Sequence, residues 1–405
     1  MENNEISIPV EQEYLESLLQ RALCTPDAHI REWGVQRLTG GLEVGSAIYR
    51  LQGSVEVEGK AQTWSLILKT SQPNAQIDDP QGFRYWKREM QAYQSGMLQE
   101  LPGKVTAPRC YDICEKSDGS VWMWLEDIKG DLEQPWSIVQ YAHIASHLGQ
   151  FNGAYLAGRP LPNHTWISHD WLRKYLEHAA PMIEFIRQNP AHPLVRLMLL
   201  GISLPLTLAL WEETPRMLKT LDELPQTFCH QDAFGRNLFY RGEQVIAIDW
   251  GYAGIAPVGA ELAPLIGAAF GLAGFPSSQA KDLEQACLTG YLEGLQQAGW
   301  NPDPRQVRVG YTLTVLLRYV LGAMIGELLP ALLDEKGRIF WAEGLGTTQE
   351  KAAESDAGIV AYYQSTTIEA LKLYGLGAMV RVMGRTAANI IRLHRKPLTQ
   401  TSTTA

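Results

Sequence analysis

Four polar residues crowd into one short stretch of the sequence, "FCHQDAFGRNLFYRGEQVIAIDWG", at residues 228–251. They are His230, Asp232, Asn237 and Asp249. Oxygen atoms of Asp and Asn, with room left for water and phosphate, suit Mg²⁺, and a further carboxylate can accept a proton from an attacking hydroxyl. A polar turn would explain any one of these residues. Grouped carboxylates cost stability unless a cation or a partner neutralises them, so the stretch predicts a metal-dependent site.

The same stretch predicts a β-hairpin that would bring these groups together. "NLFY" and "VIAID" flank the connection "RGEQ", whose length and Gly242 suit a hairpin. Antiparallel pairing then places Asn237 and Asp249 at the same open end, and Asp232 lies in the loop that leads into it. His230 could be a catalytic base, a metal ligand or a spacer that hydrogen-bonds the loop backbone, and we favour the spacer.

The hairpin lies in a mostly helical part of the chain, which differs from the part before it. Residues 11–23 have apolar side chains at helical spacing, and residues 33–70 hold three β-branched and aromatic runs divided by glycines. Residues 80–97 return to helical period, and "PRCYDIC" and "SVWMWLEDI" predict two more strands. From about residue 133 the pattern is mostly helical.

This order predicts an α+β protein with two lobes. A small antiparallel sheet with one helix occupies residues 1–128, and a larger, mostly helical lobe with the inset hairpin occupies residues 129–396. Residues 397–405, within the polar end "KPLTQTSTTA", are expected to be a disordered tail.

Charge and hydropathy exclude some partners. The chain has 405 residues and a net charge of −9, a poor match for the phosphates of nucleic acids. The N-terminus lacks the apolar core of a signal peptide. The two most apolar stretches, Leu197–Trp211 and Tyr311–Leu329, are interrupted by Pro205, and by Arg318 and Glu327, so they predict buried helices. We expect a cytoplasmic monomer or homodimer without nucleic-acid or membrane partners.

"HQDAFGRN" followed by "IDW" resembles the motif H-x-D-x-x-x-x-N … [IV]-D of the aminoglycoside phosphotransferase and choline kinase-like family. That family has the protein-kinase-like fold. The resemblance implies that Asp232 is the catalytic-loop base, that Asn237 is a magnesium ligand, and that Asp249 is the second magnesium anchor, where protein kinases carry Asp-Phe-Gly. It covers roughly residues 33–270.

Three departures from kinase patterns accompany the resemblance. Gln231 stands where a small residue or glycine is common after the histidine. "APVGAELAPLIG" follows Asp249 and resembles the family segment G-x-x-x-x-D-L-A, with Glu261 in the acidic position. The protein-kinase activation segment is absent, which argues for a small-molecule hydroxyl as the phosphate acceptor.

The resemblance also implies a lysine–glutamate pair in the N-terminal lobe. Lys69 ends the third predicted strand, in "WSLILKTS", and Glu89 lies on the following helix. Such a pair orients the lysine toward the nucleotide phosphates. Each residue would be commonplace alone, but their order ahead of Asp232 makes the pair a prediction.

Further nucleotide contacts are implied at a glycine-rich turn and at the strand between the lobes. Glycines let a backbone approach a phosphate because they lack Cβ, although an ordinary tight turn would also explain them. Adenine would lie beside "VWMWLEDI", where backbone groups usually bind it. The residues implied are Gly40, Gly41, Gly45, Ser46, Glu126 and Ile128.

The sequence therefore predicts a Mg²⁺-dependent phosphotransferase. It would move the γ-phosphate of ATP, or of GTP, to a hydroxyl of an aminoglycoside-like or amino-alcohol-like small molecule. The alternative is a catalytically inactive, kinase-like regulator that binds nucleotide. A hydrolase using the His230–Asp232 pair would leave Lys69 and Glu89 without a role.

Overall fold

A computed structural model describes residues 8–38, 46–130, 135–272, 274–335, 337–338 and 357–395. Its N-terminal lobe is a five-stranded antiparallel sheet with the strand order β1-β2-β3-β6-β5. The three consecutive strands and the two later ones are present as predicted. In chain order the elements are α1 (Gln12–Leu23), β1 (His29–Leu38), β2 (Ser46–Val57), β3 (Lys60–Ser71), α2 (Arg88–Gln94), β4 (Val105–Thr106), β5 (Cys110–Glu115) and β6 (Val121–Glu126).

The sheet has one covered face and one face turned to the second lobe. Successive side chains of a strand point to opposite faces. Leu66 and Leu68 of β3 are buried in one hydrophobic cluster with Leu15 and Leu18 of α1. Lys69 therefore points away from α1, toward Asp249 of the C-terminal lobe.

The helix predicted over residues 80–97 is wrong in its first half, because α2 begins only at Arg88. Turns precede it. The Arg88 guanidinium donates to the carbonyl oxygens of Pro80, Gly82 and Phe83. Proline and glycine are poor interior helix formers, and here a side chain, instead of backbone N–H groups, satisfies the carbonyls.

The C-terminal lobe is mostly helical, as predicted, and the two-lobed α+β fold is confirmed. Its elements are α3 (Ile138–Leu156), α4 (Trp171–Gln188), α5 (Pro193–Met198), α6 (Leu204–Asp222), β7 (Gln226–Cys229), β8 (Leu238–Arg241), β9 (Gln244–Ala247), β10 (Gly254–Pro257), α7 (Leu262–Leu272), α8 (Ala280–Gln297), α9 (Pro304–Val315), a π-helical segment (Leu316–Leu328), α10 (Leu329–Leu333), α11 (Ala357–Tyr374) and α12 (Leu376–Arg395). The lobe boundary after residue 128 stays a prediction, and the tail 397–405 lies outside the described residues.

Strands β8 and β9 form the predicted hairpin, but its turn is tighter than "RGEQ". Arg241 pairs with Gln244, which leaves a two-residue turn whose Gly242 has φ 58°. Short hairpins of this kind favour glycine at positive φ. Strand β4 pairs in parallel with β9, so a segment of the first 128 residues extends the hairpin sheet.

The helix Pro304–Leu333 is continuous through the π-helical segment. In the described part of the chain it is the one helix long and apolar enough to cross a membrane, and 61% of its apolar stretch is buried inside the protein. A Cβ on Gly322 would lie 2.3 Å from the Tyr175 ring of α4. The missing side chain therefore lets α4 pack directly on this core helix.

Candidate active site

Lys69 joins the two lobes. Its ammonium forms an ion pair with Glu89 of α2, and its Nζ lies 2.9 Å from Asp249 Oδ1 beyond β9. Glu89 Oε1 also accepts the backbone N–H of Trp250 at 3.4 Å. The structure thus brings together the implied lysine–glutamate pair and extends it to the aspartate implied as a metal anchor.

Burial and charge oppose each other at these carboxylates. Burial raises the pKa of Glu89, and the Lys69 ammonium only partly offsets this. Burial also acts to raise the pKa of Asp249, but there the Lys69 charge and hydrogen bond win, and the pKa lies below its ordinary value. Asp249 is therefore a carboxylate at neutral pH and is available to a cation.

The loop at residues 230–237, which the resemblance implies to be the catalytic loop, holds Asp232 and Asn237 against each other. Asn237 Nδ2 donates to Asp232 Oδ2 at 2.9 Å and to the Asp232 carbonyl oxygen at 3.0 Å. The carbonyl oxygen of Asn237 accepts the N–H of Ile248 at 2.9 Å, which ties the loop to the end of β9. Because the amide nitrogen faces Asp232, the side-chain oxygen of Asn237 is the atom that would serve as the implied metal ligand.

His230 has the contacts of a spacer. Its Nδ1 accepts the backbone N–H of Asp232 at 3.1 Å, and its Nε2 lies 2.9 Å from the carbonyl oxygen of Ile248. The ring is buried against Trp250, with 4.5 Å between ring centroids. Burial lowers the pKa of His230 to about 4. A neutral ring engaged at both nitrogens fixes the loop and has no position left for a metal.

Glu261 braces the loop from behind. It is completely buried, and its two oxygens accept the backbone N–H groups of His230 at 2.7 Å and Gln231 at 3.0 Å. Burial raises the pKa of Glu261 to about 7, although these hydrogen bonds oppose the shift. Glu261 thus fixes the backbone conformation of the loop at His230 and Gln231.

Two residues of the site have left-handed backbone conformations. Gln231 and Asp249 both have φ 64°. Such conformations cost non-glycine residues about 1–3 kcal/mol and persist where the surroundings impose them. Glycine adopts this conformation freely, which gives a physical reason why a glycine is common at the position of Gln231.

Arg318, from the π-helical segment, completes the loop and was not predicted as a site residue. Its Nη2 lies 2.8 Å from Asp232 Oδ1, and its Nη1 donates to the carbonyl oxygen of Gln231. Burial raises the pKa of Asp232 to about 6, against the opposing Arg318 charge. The available signal in the sequence was an arginine inside an apolar helix, which must find a partner when buried.

Arg88 is a second residue that sequence reasoning missed. It is completely buried and donates to the carbonyl oxygens of Gly251 at 2.9 Å and Trp166 at 3.0 Å, in addition to those of the turn before α2. It therefore connects the element that carries Glu89 to the chain just beyond Asp249.

The other residues implied to contact the nucleotide are not shown to contact Lys69, Asp232 or Asp249. Ser46 begins β2 opposite Ser71 of β3. Glu126 ends β6, and its side chain binds Arg241 Nη1 at 2.8 Å, while Ile128 follows β6 outside any strand. Gly40, Gly41 and Gly45 lie outside the described residues. The nucleotide-binding roles of all these residues stay predictions.

The fold and the site define a protein-kinase-like architecture, in which a lysine–glutamate pair faces a catalytic loop across two lobes. The model of the phosphotransferase enzyme family, APH, matches residues 56–300, more than half of the chain. The chain belongs to this family, which confirms the resemblance of its motif.

Several solved structures are similar in fold at low identity. One is amicoumacin kinase hAmiN in complex with AMP-PNP, Ca²⁺ and Ami, with 13% identity, coverage of 83% of this chain and 88% of that chain, and a TM-score of 0.49. Spectinomycin phosphotransferase APH(9)-Ia, in complex with ADP and spectinomycin, has 14% identity, coverage of 91% and 99%, and a TM-score of 0.44. A choline/ethanolamine kinase family protein from Mesorhizobium loti has 14% identity, coverage of 93% and 99%, and a TM-score of 0.41. A comparison with curated proteins finds no match.

Proposed function

We propose that this protein transfers the γ-phosphoryl group of ATP to a hydroxyl group of a small molecule, with GTP as an alternative donor. The carrying observation is the Lys69 ammonium, which contacts Glu89 of one lobe and Asp249 of the other. Phosphoryl transfer depends mainly on positioning the phosphates and stabilising their charge. A lysine held between two carboxylates at the lobe junction is suited to the nucleotide phosphates.

Asn237 and Asp249 are suited to Mg²⁺. Mg²⁺ binds oxygen ligands, and proteins usually supply one or two carboxylates while water and substrate phosphates complete the shell. Among the described residues, no group of three or more His, Cys, Asp or Glu could hold a metal, so the proposed protein ligands are the Asn237 amide oxygen and the Asp249 carboxylate. When bound, the metal would neutralise charge on the transferring phosphates.

Asp232 is the residue proposed to bind and orient the acceptor hydroxyl. Its carboxylate lies in the loop before the hairpin, in contact with the side chain of Asn237. With a pKa of about 6, raised by burial, it is largely ionised at pH 7.5 and can accept a hydrogen bond and then a proton from a hydroxyl. In this proposal Asp232 orients the acceptor hydroxyl, and Lys69 binds the phosphates of the nucleotide.

For the acceptor we propose an aminoglycoside-like or amino-alcohol-like compound. The support is the net charge of −9, which favours the approach of cationic substrates. A compound with both an amine and a hydroxyl would satisfy this preference and supply the nucleophile.

A coupled assay of nucleoside diphosphate release tests the proposal. Purified protein with Mg²⁺ and ATP or GTP is screened against aminoglycosides, amino alcohols, macrolides and sugars, and phosphorylated product is identified by mass spectrometry. Asp232→Asn should abolish transfer and keep binding of a non-hydrolysable ATP analogue. Asp222→Asn, an exposed residue at the end of α6, is the matched control and should keep both.

The results of this assay distinguish an active phosphotransferase from an inactive nucleotide-binding regulator. Full transfer by the Asp232→Asn protein would refute the mechanism. Tight binding of Mg-nucleotide without transfer to any acceptor would favour the inactive, nucleotide-binding regulator.

A further inference from the structure

Arg318 reaches the catalytic loop from a helix 86 residues further along the chain. It is 8% exposed. A buried guanidinium is costly unless its charge is paired and its donors are satisfied. Both requirements are met at the loop, through Asp232 Oδ1 at 2.8 Å and the carbonyl oxygen of Gln231. The contact is therefore built into the core of the lobe.

The Asp232 carboxylate is held at both of its oxygens. Asn237 Nδ2 donates to Oδ2 at 2.9 Å, and Arg318 Nη2 donates to Oδ1. With the asparagine alone, the carboxylate could still rotate about its single bond to Cβ. The second contact fixes the plane of the carboxylate, and such alignment matters because small misplacements of a catalytic group cost large factors in rate.

Arg318 is itself held in place by its neighbours. Its guanidinium lies 4.6 Å from the ring centroid of Trp171 and 5.5 Å from that of Tyr319. It belongs to the π-helical segment Leu316–Leu328, and π-helical turns are rare and frequent at functional sites. A planar cation in contact with two aromatic rings has little freedom to leave the loop.

The arginine lies beyond the part of the chain that the family model matches. That match ends at residue 300, so it includes Asp232 and Asn237 but excludes the helix that carries Arg318. The second hold on the catalytic carboxylate is therefore a contribution of the C-terminal helices of this chain.

We propose that Arg318 is a positioning residue that aims the Asp232 carboxylate at the acceptor hydroxyl. This inference rests on the proposed phosphotransferase activity. Arg318 acts through Asp232, whereas Lys69 and Asp249 serve the nucleotide. Its loss should therefore lower the rate of transfer and leave nucleotide binding unchanged.

Kinetics of Arg318→Ala and Arg318→Lys test this separation. Arg318→Ala should lower kcat about 100-fold, with the nucleotide KM within about threefold of wild type. Arg318→Lys should lose about tenfold, because an ammonium supplies the charge but lacks the two-pronged donor. Methylguanidinium in the buffer should restore part of the activity of the alanine variant.

Glu327→Gln is the matched control. Glu327 lies on the same π-helical segment and pairs with Arg84 Nη2 at 2.6 Å instead of with the Asp232 loop. It should keep kcat and give no response to methylguanidinium. Equal loss of kcat in Glu327→Gln and Arg318→Ala would show a general effect on the helix and overturn the proposal, as would an Arg318→Ala kcat near that of wild type. Should the alanine variant not fold, a wild-type kcat in Arg318→Lys overturns it equally.

Hydrogen exchange gives a measurement that needs no turnover. Peptides covering residues 228–237 of the protein without nucleotide should exchange faster in Arg318→Ala than in wild type or Glu327→Gln, because the hold on Gln231 and Asp232 is lost. Unchanged exchange refutes the positioning role. If wild type transfers phosphate to no acceptor, the proposed function fails, and the exchange comparison still decides whether Arg318 orders the loop.

Discussion

The stability of this protein should depend on pH through Glu261, the buried carboxylate behind the catalytic loop. Burial raises its pKa from 4.5 to about 7. A carboxyl group whose pKa is raised on folding stabilises the folded state below the pKa of the unfolded chain. That stabilisation is lost as pH rises to the pKa of the folded state. The window is therefore about pH 4.5 to 7.

The magnitude follows from the width of that window. Each unit of pKa difference corresponds to about 1.4 kcal/mol, so the shift at Glu261 amounts to about 3 kcal/mol. The Glu261→Gln protein has no carboxyl group to ionise at this position, so its stability lacks this pH dependence. We expect the stability of wild type relative to Glu261→Gln to fall by about 3 kcal/mol between pH 4.5 and 7.5.

Urea unfolding followed by tryptophan fluorescence, at several pH values across this window, measures the difference. Glu223→Gln, exposed at the end of α6, controls for exchanging a carboxylate for an amide away from the loop. A difference between wild type and Glu261→Gln that stays constant from pH 4.5 to 7.5 would refute the reasoning, because it would mean that Glu261 ionises equally in the folded and unfolded chains.

Three further substitutions test other parts of the site. Lys69→Met leaves the Glu89 and Asp249 carboxylates without the cation between them. It should lower the free energy of unfolding in urea by about 3–5 kcal/mol and weaken binding of a non-hydrolysable ATP analogue in calorimetry. Unchanged values of both would contradict the bridging role. Gln231→Gly relieves a left-handed conformation and should raise the free energy of unfolding by about 1 kcal/mol, and a loss of stability would show that the glutamine side chain matters more than the strain. Arg88→Met removes the hydrogen-bond donor of the buried carbonyl oxygens around α2 and should lower the free energy of unfolding by at least about 3 kcal/mol. A melting temperature equal to that of wild type would show that water replaces the guanidinium.

The parts of the site that the sequence predicts are those whose partners are close in the chain. Asp232, Asn237 and the end of β9 lie within one loop and hairpin, and antiparallel register leaves them few relative positions. The Lys69–Glu89 pair was implied by the family resemblance, together with the order of these two residues ahead of Asp232.

The parts that could not be predicted depend on contacts between distant segments. Nothing in the spacing of the sequence brings Arg318 to Asp232, because that approach is decided by how the core helix packs on α4 through Gly322. The late start of α2 is an exception with a local origin, because Arg88 donates to carbonyl oxygens only five to eight residues before it. Hydrophobic period favoured a longer helix, and the Arg88 side chain satisfied the carbonyls of the preceding turn instead.

The position of Arg318 in the chain also sets the timing of biosynthesis. Asp232 leaves the ribosome 86 residues before its arginine partner, an interval of about 4–17 s at common rates of translation. Until the core helix emerges, the nascent chain contains the family motif, but Asp232 has its Asn237 contact without its Arg318 contact. Assembly of the site is therefore a late event in synthesis. A ribosome stalled before residue 318 should carry the whole sheet of the N-terminal lobe, part of the C-terminal lobe, and an Asp232 loop that lacks its arginine contact.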